Sequence, residues 1–261
     1  MVHIDIDHAE FDKNVAAAVR VAGDLKMVLS RLADEASPAQ RTAWVEELTA
    51  LRRTFRADMS DPDARPDPLA ILHMLRALTE DDAIIATDVG QHQMWVAQHF
   101  ELRHPRTLLT SGGLGTMGYG MGAAIGAQFG CPDRRVVLVS GDGSFHMNLN
   151  ELTTMASYRL PVVMLVMNNE VLGMVRQWQK VFYGSRFSAT DPHRRTDFVK
   201  LAEAFGCTGM RIEKNADVEP VLRAALANGG PVLVDCRISP DANVLPMIPP
   251  GGTVDDIIEE M

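Results

Sequence analysis

The chain has 261 residues, of which 46% are hydrophobic, and a formal net charge of −9 at pH 7. The length suits one large domain, or one domain with a fragment of another, and the hydrophobic content is ample for a buried core. The negative charge argues against nucleic acid as the main partner. No apolar run reaches the ~18 residues that a membrane span needs.

The cysteines and the N-terminus indicate a cytoplasmic location. Cys131, Cys207 and Cys236 are widely spaced, form no metal or redox motif and fit a reducing cytosol. The N-terminus, Met1-Val2-His3-Ile4-Asp5, lacks the basic region of a secretory signal.

Residues 1–35 predict a fragment of an α/β domain. Val2–Asp7 alternates like a half-buried strand, and a helix is expected from Ala9. Asp24 is placed to cap a second helix that reaches about Leu32. One strand and two helices cannot bury a core, so this segment needs further structure.

Residues 36–66 predict a helical linker. Ser37–Met59 is charged and has a helical pattern. The apolar residues of one face are Trp44, Leu48, Leu51 and Phe55. Asp58–Pro68 contains three prolines and four aspartates, so we place the main domain boundary there.

Residues 67–240 predict an α/β domain with a parallel sheet flanked by helices, followed by an irregular tail over 241–261. Asp67 and Pro68 suit the cap and first position of a helix. The predicted strands are Ala83–Thr87, Leu108–Ser111, Val136–Val139, Pro161–Met167, Met210–Ile212 and Pro231–Cys236. The later helices are predicted around Leu149–Ala156, from Gly173 past Phe182, at Asp197–Ala204 and at Val218–Ala227.

Two of these strands end in polar residues. The strand Val136–Val139 is followed by Gly141-Asp142-Gly143, and the strand Pro161–Met167 is followed by Asn168-Asn169. Adjacent parallel strands would bring Asp142 and Asn169 together at the carboxyl edge, where open α/β sheets bind ligands. A carboxylate and an amide oxygen suit Mg²⁺, which usually takes few protein ligands plus phosphate oxygens. Because the flanking glycines let the backbone approach a phosphate, this stretch predicts a Mg²⁺–diphosphate site.

The glycines at 113, 115 and 118 also match the dinucleotide pattern GxGxxG. No strand-end acidic residue in a ribose-binding context follows, since the next one, Asp142, is enclosed by glycines. An NAD-dependent dehydrogenase is therefore the weakest alternative.

Four ordered motifs resemble the catalytic subunit of the acetolactate (acetohydroxyacid) synthase family. They are Gly90–Trp95, Ser111–Gly118, Gly141-Asp142-Gly143 with Asn168-Asn169, and Leu172–Gln179. The resemblance covers essentially the whole chain. It implies that residues 67–240 form the thiamine-diphosphate-binding domain and that residues 1–35 are the C-terminal remnant of a middle, FAD-type domain. The family's C-terminal tail folds over the active site.

The resemblance also implies roles for individual residues. Mg²⁺ would be held by Asp142, Asn169 and the Val171 carbonyl. Met117 would wedge between the two cofactor rings, and Met174 and Trp178 would complete the cofactor-shaping and substrate pocket. The implied cofactor-binding residues are Val89, Gly90, Gln91, His92, Gly115, Met117, Asp142, Gly143, Ser144, Asn169, Val171, Gly173, Met174 and Val175.

The implied activity is decarboxylation of pyruvate and its condensation with a second 2-oxo acid in branched-chain amino acid biosynthesis. In this family the activating glutamate belongs to an N-terminal domain that has no counterpart here. We therefore expect a C-terminal half that needs a homo-oligomer or an N-terminal-half partner chain, with a regulatory small subunit as a further candidate partner. FAD is expected only with the missing part of the middle domain, where Asp5 and Asp7 could border it.

Two other readings stay open. One is a non-catalytic module that binds thiamine diphosphate or scaffolds assembly. The other is a different thiamine enzyme, such as an oxo-acid decarboxylase or pyruvate oxidase, against which the Gly173–Trp178 run argues.

Overall fold

The structure is a computed structural model that describes residues 1–37, 39–52, 57, 59–193 and 196–260. The chain forms two compact units, Met1–Phe55 and Arg56–Met261. Within the described ranges, every helix is too short or too polar to cross a membrane.

The first unit pairs two short parallel strands, β1 (Val2–Asp5) and β2 (Val19–Ala22). They are followed by helices α1 (Leu25–Glu35) and α2 (Thr42–Arg52). Asp24 caps α1 by accepting a hydrogen bond from Met27 N–H at 3.1 Å, which confirms the predicted helix start.

Two helices predicted for this unit differ from the structure. The helix expected from Ala9 is wrong: only a three-residue 3₁₀ turn, His8–Glu10, forms there. The Asp12 carboxylate accepts Ala17 N–H at 2.8 Å, which stabilises a turn and lets the chain return as β2. The helix predicted from residue 37 begins at Thr42, and Phe55 lies outside the described residues.

The second unit is built on a six-stranded parallel sheet. Its strands are β3 (Ile84–Thr87), β4 (Leu108–Leu109), β5 (Val136–Gly141), β6 (Val163–Asn168), β7 (Thr208–Ile212) and β8 (Val232–Arg237). Their spatial order is β4-β3-β5-β6-β8-β7, and every neighbouring pair is parallel. The predicted fold class is therefore confirmed.

Helices cover both faces of this sheet, which explains why its strands are almost continuously apolar. The helices are α3 (Pro68–Leu78), α4 (Gln91–His99), α5 (Tyr119–Gly130), α6 (Asp142–Phe145), α7 (Leu152–Ser157), α8 (Gly173–Phe182), α9 (Phe198–Ala204) and α10 (Val218–Ala227). Val137 and Val139 of β5 point into one buried cluster, and Val136 and Leu138 point into the other. Alternation along one strand thus divides the core into two layers.

The helix predicted around Leu149–Ala156 is split. A one-turn helix, α6, begins at Asp142 itself, and a 3₁₀ turn at Leu149–Glu151 leads into α7. The tail is mostly irregular, as predicted, with a 3₁₀ turn at Val254–Asp256 and a bridge between Met247 and Ile258.

The strand order creates a crevice at the carboxyl edge of the sheet. From β3 the chain first adds β4 on one side and then β5 on the other. The chain leaves β3 towards one side of the sheet and leaves β5 towards the other. The two connections therefore diverge and leave a gap at the carboxyl ends of these neighbouring strands. The polar residues that follow β3, β5 and β6 lie at this gap.

Candidate cofactor site

A cavity of about 340 Å³ opens at the carboxyl ends of β3, β5 and β6. Its volume falls within the range of small-molecule sites. All fourteen residues predicted to bind the cofactor line it, together with Trp95, Gly141, Met147, Met167 and Leu172. The structure thus brings together residues from four loops, those after β3, β4, β5 and β6, that are far apart in the chain.

The N-termini of α4 and α8 both lie at this cavity. Among the described residues, no side chain caps either helix at Gly90 or Leu172. Three helices away from the cavity are capped by aspartates, namely Asp24 for α1, Asp67 for α3 and Asp197 for α9, while α7 and α10, in the described part of the chain, also begin without a side-chain cap. Uncapped N–H groups and the positive end of the helix dipole favour an anion.

His92 is a buried, uncharged histidine in the cavity wall. Burial lowers the pKa of His92 from its ordinary 6.5 to about 3, against a hydrogen bond to the Asp88 backbone that raises it. Its Nε2 is buried and has no hydrogen-bond partner among the described residues. A β-carbon at Gly141 would lie 2.8 Å from His92 Nδ1, so only glycine lets the ring pack here. An unpaired polar atom in this place fits a ligand with hydrogen-bonding oxygens.

Asn169 and Gln91 are joined across the cavity floor. Asn169 Nδ2 donates to Gln91 Oε1 at 3.2 Å, while Asn169 Oδ1 accepts Val171 N–H at 3.2 Å. Both side chains are buried. The strand end after β6 is therefore linked to the start of α4 by a side-chain contact that no local sequence pattern indicates.

The two consecutive asparagines point to different partners. Asn168 Nδ2 donates to Asp235 Oδ1 at 2.7 Å, and the fully buried Asp235 carboxylate also accepts from Arg211 Nε and Arg237 Nε, at 3.1 and 2.9 Å. Arg211 and Arg237 of this cluster line an adjacent polar cavity of about 670 Å³, which Asn169 and Val171 also border. Asn168 is thus committed to structure, and Asn169 is the residue that faces the candidate site.

The loop after β5 is connected to the loop after β3. Ser144 Oγ–H donates to the Val89 carbonyl at 2.5 Å. Asp142 is buried at the start of α6, and its backbone carbonyl contacts His146 Nδ1 at 2.6 Å. These contacts place the Asp142 carboxylate in the cavity wall together with Asn169 and Val171.

Asp88 is a residue that the sequence analysis did not single out. Its carboxylate accepts Gly118 N–H at 2.7 Å and Val89 N–H at 3.0 Å, so it joins the loop after β3 to the start of α5. Burial raises the pKa of Asp88 above its ordinary 3.8, although these hydrogen bonds pull it down. An acidic residue that ends a buried strand was the available signal.

The cavity has an apolar, solvent-exposed rim. Met117 is 37% exposed and Val175 is 48% exposed, and Leu114 protrudes nearby in the chain with 94% of its surface exposed. Trp178 does not line the cavity. It lies one turn further along α8, in a separate depression with Val175, Gln179, Tyr183 and Arg186, and stacks edge-on against Phe182 at 5.4 Å.

The residues present fit a Mg²⁺-bound diphosphate. Open helix N-termini, an unpaired imidazole nitrogen and close-packed glycines suit the anion, while a carboxylate and an amide oxygen suit the cation. Within the described residues, no group of three or more His, Cys, Asp or Glu could hold a metal alone.

Comparison with known families decides what this cavity is. The family described as thiamine pyrophosphate enzyme, C-terminal TPP binding domain, matches residues 88–236, which contain the sheet edge and every loop of the cavity. The chain belongs to the thiamine pyrophosphate enzyme family. Thiamine pyrophosphate is another name for thiamine diphosphate, so this part of the chain is a thiamine-diphosphate-binding domain of that family.

Relatives of this thiamine pyrophosphate enzyme chain include acetolactate synthase large subunits. It is 40% identical over 262 residues to the acetolactate synthase isozyme 2 large subunit of Escherichia coli, covering 100% of this chain and 47% of that one. It is 42% identical over 256 residues to the large subunit of Parasynechococcus marenigrum, covering 96% of this chain and 41% of that one. It is 38% identical over 276 residues to a probable large subunit of Methanococcus aeolicus, covering 99% and 46%.

The resemblance predicted from the four motifs is confirmed. The chain spans about half the length of the curated relatives it matches. The roles assigned to individual residues, and the domain boundaries at 36, 67 and 241, stay predictions.

Proposed function

We propose that this chain is the diphosphate- and Mg²⁺-binding half of an acetolactate-synthase-type carboligase, which joins pyruvate to a second 2-oxo acid. The observation that supports this most is the cavity where the loops after β3, β4, β5 and β6 meet. It combines the buried, unpaired His92 Nε2 with Asp142 and Asn169 on adjacent strand ends. The relatives that match nearly the whole chain are acetolactate synthase large subunits.

In this proposal the polar wall of the cavity holds the diphosphate and its metal. Asp142, Asn169 Oδ1 and the Val171 carbonyl bind Mg²⁺, because hard oxygen donors suit that cation. The open start of α4 donates hydrogen bonds to phosphate oxygens, and His92 Nε2 does so once the charge of the bound anion favours the protonated ring. Gln91 keeps the loop after β3 in register with Asn169 through their hydrogen bond.

The apolar wall shapes the reactive part of the cofactor. Thiamine diphosphate supplies the carbanion-stabilising chemistry when it is bound, and the protein supplies binding, orientation and electrostatics. Met117 and Met174 press against the cofactor rings and exclude water from them. Trp178, next to Val175 on the exposed side of α8, borders the space that a second 2-oxo acid would occupy.

The site is completed by other chains in this proposal. Met117 and Val175 form an exposed apolar rim that is unusual for a finished cofactor pocket. An N-terminal half, or the corresponding part of a longer protein, would cover this rim and supply the activating glutamate. Assembly as an oligomer, with a regulatory small subunit as a further partner, follows the same scheme.

The first unit has its own place in the proposal. Its parallel strands β1 and β2 form the C-terminal remnant of a middle, FAD-type domain, and FAD binds only where the rest of that domain is present. We further propose a cytoplasmic location and a place in branched-chain amino acid biosynthesis. The three cysteines are all unpaired, which suits a reducing compartment.

Reconstitution tests the proposal. The chain is mixed with the N-terminal part of the Escherichia coli relative, Mg²⁺, thiamine diphosphate and FAD, and acetolactate is measured from pyruvate. The expected result is turnover in the mixture and none with either part alone, and none when the chain carries Asp142→Ala. Cofactor binding without turnover, with this N-terminal part and with the N-terminal parts of other relatives, would favour the non-catalytic module instead.

A further inference from the structure

Gln177 is a buried glutamine next to the candidate site. It lies on α8, is 1% exposed and does not line the cavity. A glutamine amide has two different ends, since its oxygen only accepts and its nitrogen only donates hydrogen bonds. Which way round this amide lies therefore decides what its neighbours must present to it.

The backbone of Val244 fixes the orientation of the Gln177 amide. Val244 N–H donates to Gln177 Oε1 at 2.8 Å, and Gln177 Nε2 donates to the Val244 carbonyl at 2.9 Å. A backbone N–H cannot accept and a carbonyl cannot donate. Because Val244 is fully buried, reversing the amide would leave two buried polar clashes.

Gln177 and the Ala242 carbonyl together determine the orientation of Gln91. Gln177 Oε1 also accepts from Gln91 Nε2 at 2.9 Å, and the same nitrogen donates to the Ala242 carbonyl at 2.9 Å. With its nitrogen committed on this side, Gln91 directs Oε1 toward Asn169. That oxygen requires a donor, which Asn169 Nδ2 provides at 3.2 Å.

The last amide in the series, that of Asn169, is oriented by Gln91 together with Val171 N–H. With Nδ2 committed to Gln91, Asn169 Oδ1 lies at the opposite end, where it accepts Val171 N–H. A carbonyl oxygen has two acceptor positions, so Oδ1 keeps capacity for a cation. A reversed Asn169 would instead present its NH₂ group to the metal, and a donor group repels a cation.

We propose that Gln177 is a positioning residue that sets the polarity of the series Val244, Gln177, Gln91 and Asn169, so that Asn169 presents its oxygen to Mg²⁺. The inference rests on the proposed function, because it assumes Mg²⁺ at Asn169. Hydrogen-bond partners behind a metal ligand typically change metal affinity about 10–100-fold. Gln177 acts through two intervening amides and touches neither metal nor cofactor.

The test titrates Mg²⁺ by calorimetry into the 261-residue chain at saturating thiamine diphosphate. Gln177→Met keeps the length of the side chain but removes both ends of the amide. We expect about 10–100-fold weaker Mg²⁺ binding. The matched control is Gln128→Met, because Gln128 is also buried and its amide donates to backbone carbonyls, those of Cys131 and Pro132 at 3.4 and 3.2 Å, away from the cavity. The control should bind Mg²⁺ within about twofold of wild type.

A second variant separates orientation from general loosening of the fold. Gln177→Glu, protonated when buried at about pH 6, keeps an acceptor for Gln91 and Val244 N–H and a donor for the Val244 carbonyl. At that pH it should restore most of the Mg²⁺ affinity that Gln177→Met loses. Equal losses in both variants would overturn the positioning role and indicate a structural one.

A measurement without cofactor tests the first hydrogen bond of the series, from Val244 N–H to Gln177 Oε1. Hydrogen exchange of Val244 N–H should be fast in Gln177→Met and protected in wild type and Gln128→Met, since its acceptor is Gln177 Oε1. Unchanged protection would overturn the inference without any ligand. A wild-type chain that binds neither Mg²⁺–thiamine diphosphate nor Mg²⁺–pyrophosphate would instead overturn the proposed function. Wild-type binding with unchanged affinity in Gln177→Met would overturn the positioning role alone.

Discussion

Gly173 lies directly against the side chain of Gln91: a β-carbon added at residue 173 would be 1.9 Å from Gln91 Oε1 and 2.6 Å from Asn169 Nδ2. No side chain tolerates such a contact, so the first residue of α8 must be glycine for Gln91 and Asn169 to meet. The requirement comes from close approach of the start of α4 to the loop between β6 and α8 rather than from a special backbone conformation.

Gly173→Ala should therefore displace Gln91 and Asn169 and weaken Mg²⁺-dependent thiamine diphosphate binding at least about tenfold. Calorimetry on the purified variant measures this. Gly126→Ala in α5 is the control, because a β-carbon there meets open space. It should leave affinity unchanged and stabilise the chain by up to ~1 kcal/mol. Equal affinities for the two variants would contradict the packing argument.

Asp142→Ala should abolish Mg²⁺-dependent thiamine diphosphate binding. The carboxylate lies in the cavity wall at the end of β5, beside the strand that carries Asn169, and Mg²⁺ depends on such hard oxygen ligands. Calorimetry with and without Mg²⁺ separates the metal from the organic part of the ligand. Asp133→Ala, on the exposed loop before β5, is the control. Unchanged cofactor affinity in Asp142→Ala would rule out the metal assignment.

Burial of His92 should make the stability of the cofactor-free chain depend on pH. Because the pKa of His92 falls to about 3 in the folded chain, the unfolded chain binds the extra proton between about pH 6.5 and about pH 3. The contribution of His92 to the free energy of unfolding is therefore fully present above the pKa of this residue in the unfolded chain. It is lost as the pH falls from about 6.5 to about 3. Proton linkage gives a loss of about 2 kcal/mol in the free energy of unfolding between about pH 7 and about pH 5.

Urea denaturation at the two pH values measures this loss. The wild type should lose about 2 kcal/mol more than His92→Gln, which has no titrating group at the site. His193→Gln, a change at an exposed histidine, should behave like wild type. Parallel losses in wild type and His92→Gln would show that the buried ring does not carry the effect.

Trp178 should set substrate choice rather than fold stability. It is 38% exposed and lies in a depression beside the cavity, so Trp178→Leu removes little buried contact. In the reconstituted enzyme we expect preference for 2-oxobutyrate over pyruvate as acceptor to fall, while the melting temperature barely moves. Trp95→Leu, a change at a tryptophan that is 2% exposed, should lower the melting temperature by several degrees. A collapsed fold with unaltered preference would make Trp178 a core residue.

The isolated chain should associate with itself or with an N-terminal partner and have negligible carboligase activity. Its exposed apolar side chains in the second unit include Leu114, Met117, Met147, Val175 and Trp178. A patch of this kind marks an interaction surface, and loss of general acid–base help typically costs 10²–10⁴-fold in rate. Size-exclusion chromatography with light scattering, followed by an acetolactate assay on the same fractions, tests both statements. A clean monomer with ordinary turnover would contradict them.

Local sequence patterns were sufficient for most elements of the second unit and for the edge of the sheet at which the cavity lies. Buried strands read as apolar runs, Asp24, Asp67 and Asp197 cap the helices they precede, and polar residues follow the strands at the ligand-binding edge. The helix predicted from Ala9 does not form, because the hydrogen bond from Ala17 N–H to the Asp12 carboxylate competes with helix formation over that segment.

What the sequence by itself determined was therefore the parallel α/β fold and the strand-end loops that meet at the cavity, because periodicity, capping and strand-end chemistry are local properties. The family followed from the four motifs that resemble it. Only the tertiary structure decided which asparagine faces the cavity, that Asp88 joins the loop after β3 to α5, and that Gln177 orients Gln91. Those contacts join residues far apart in the chain. Their geometry follows from how the sheet and helices pack, which no short stretch of sequence specifies.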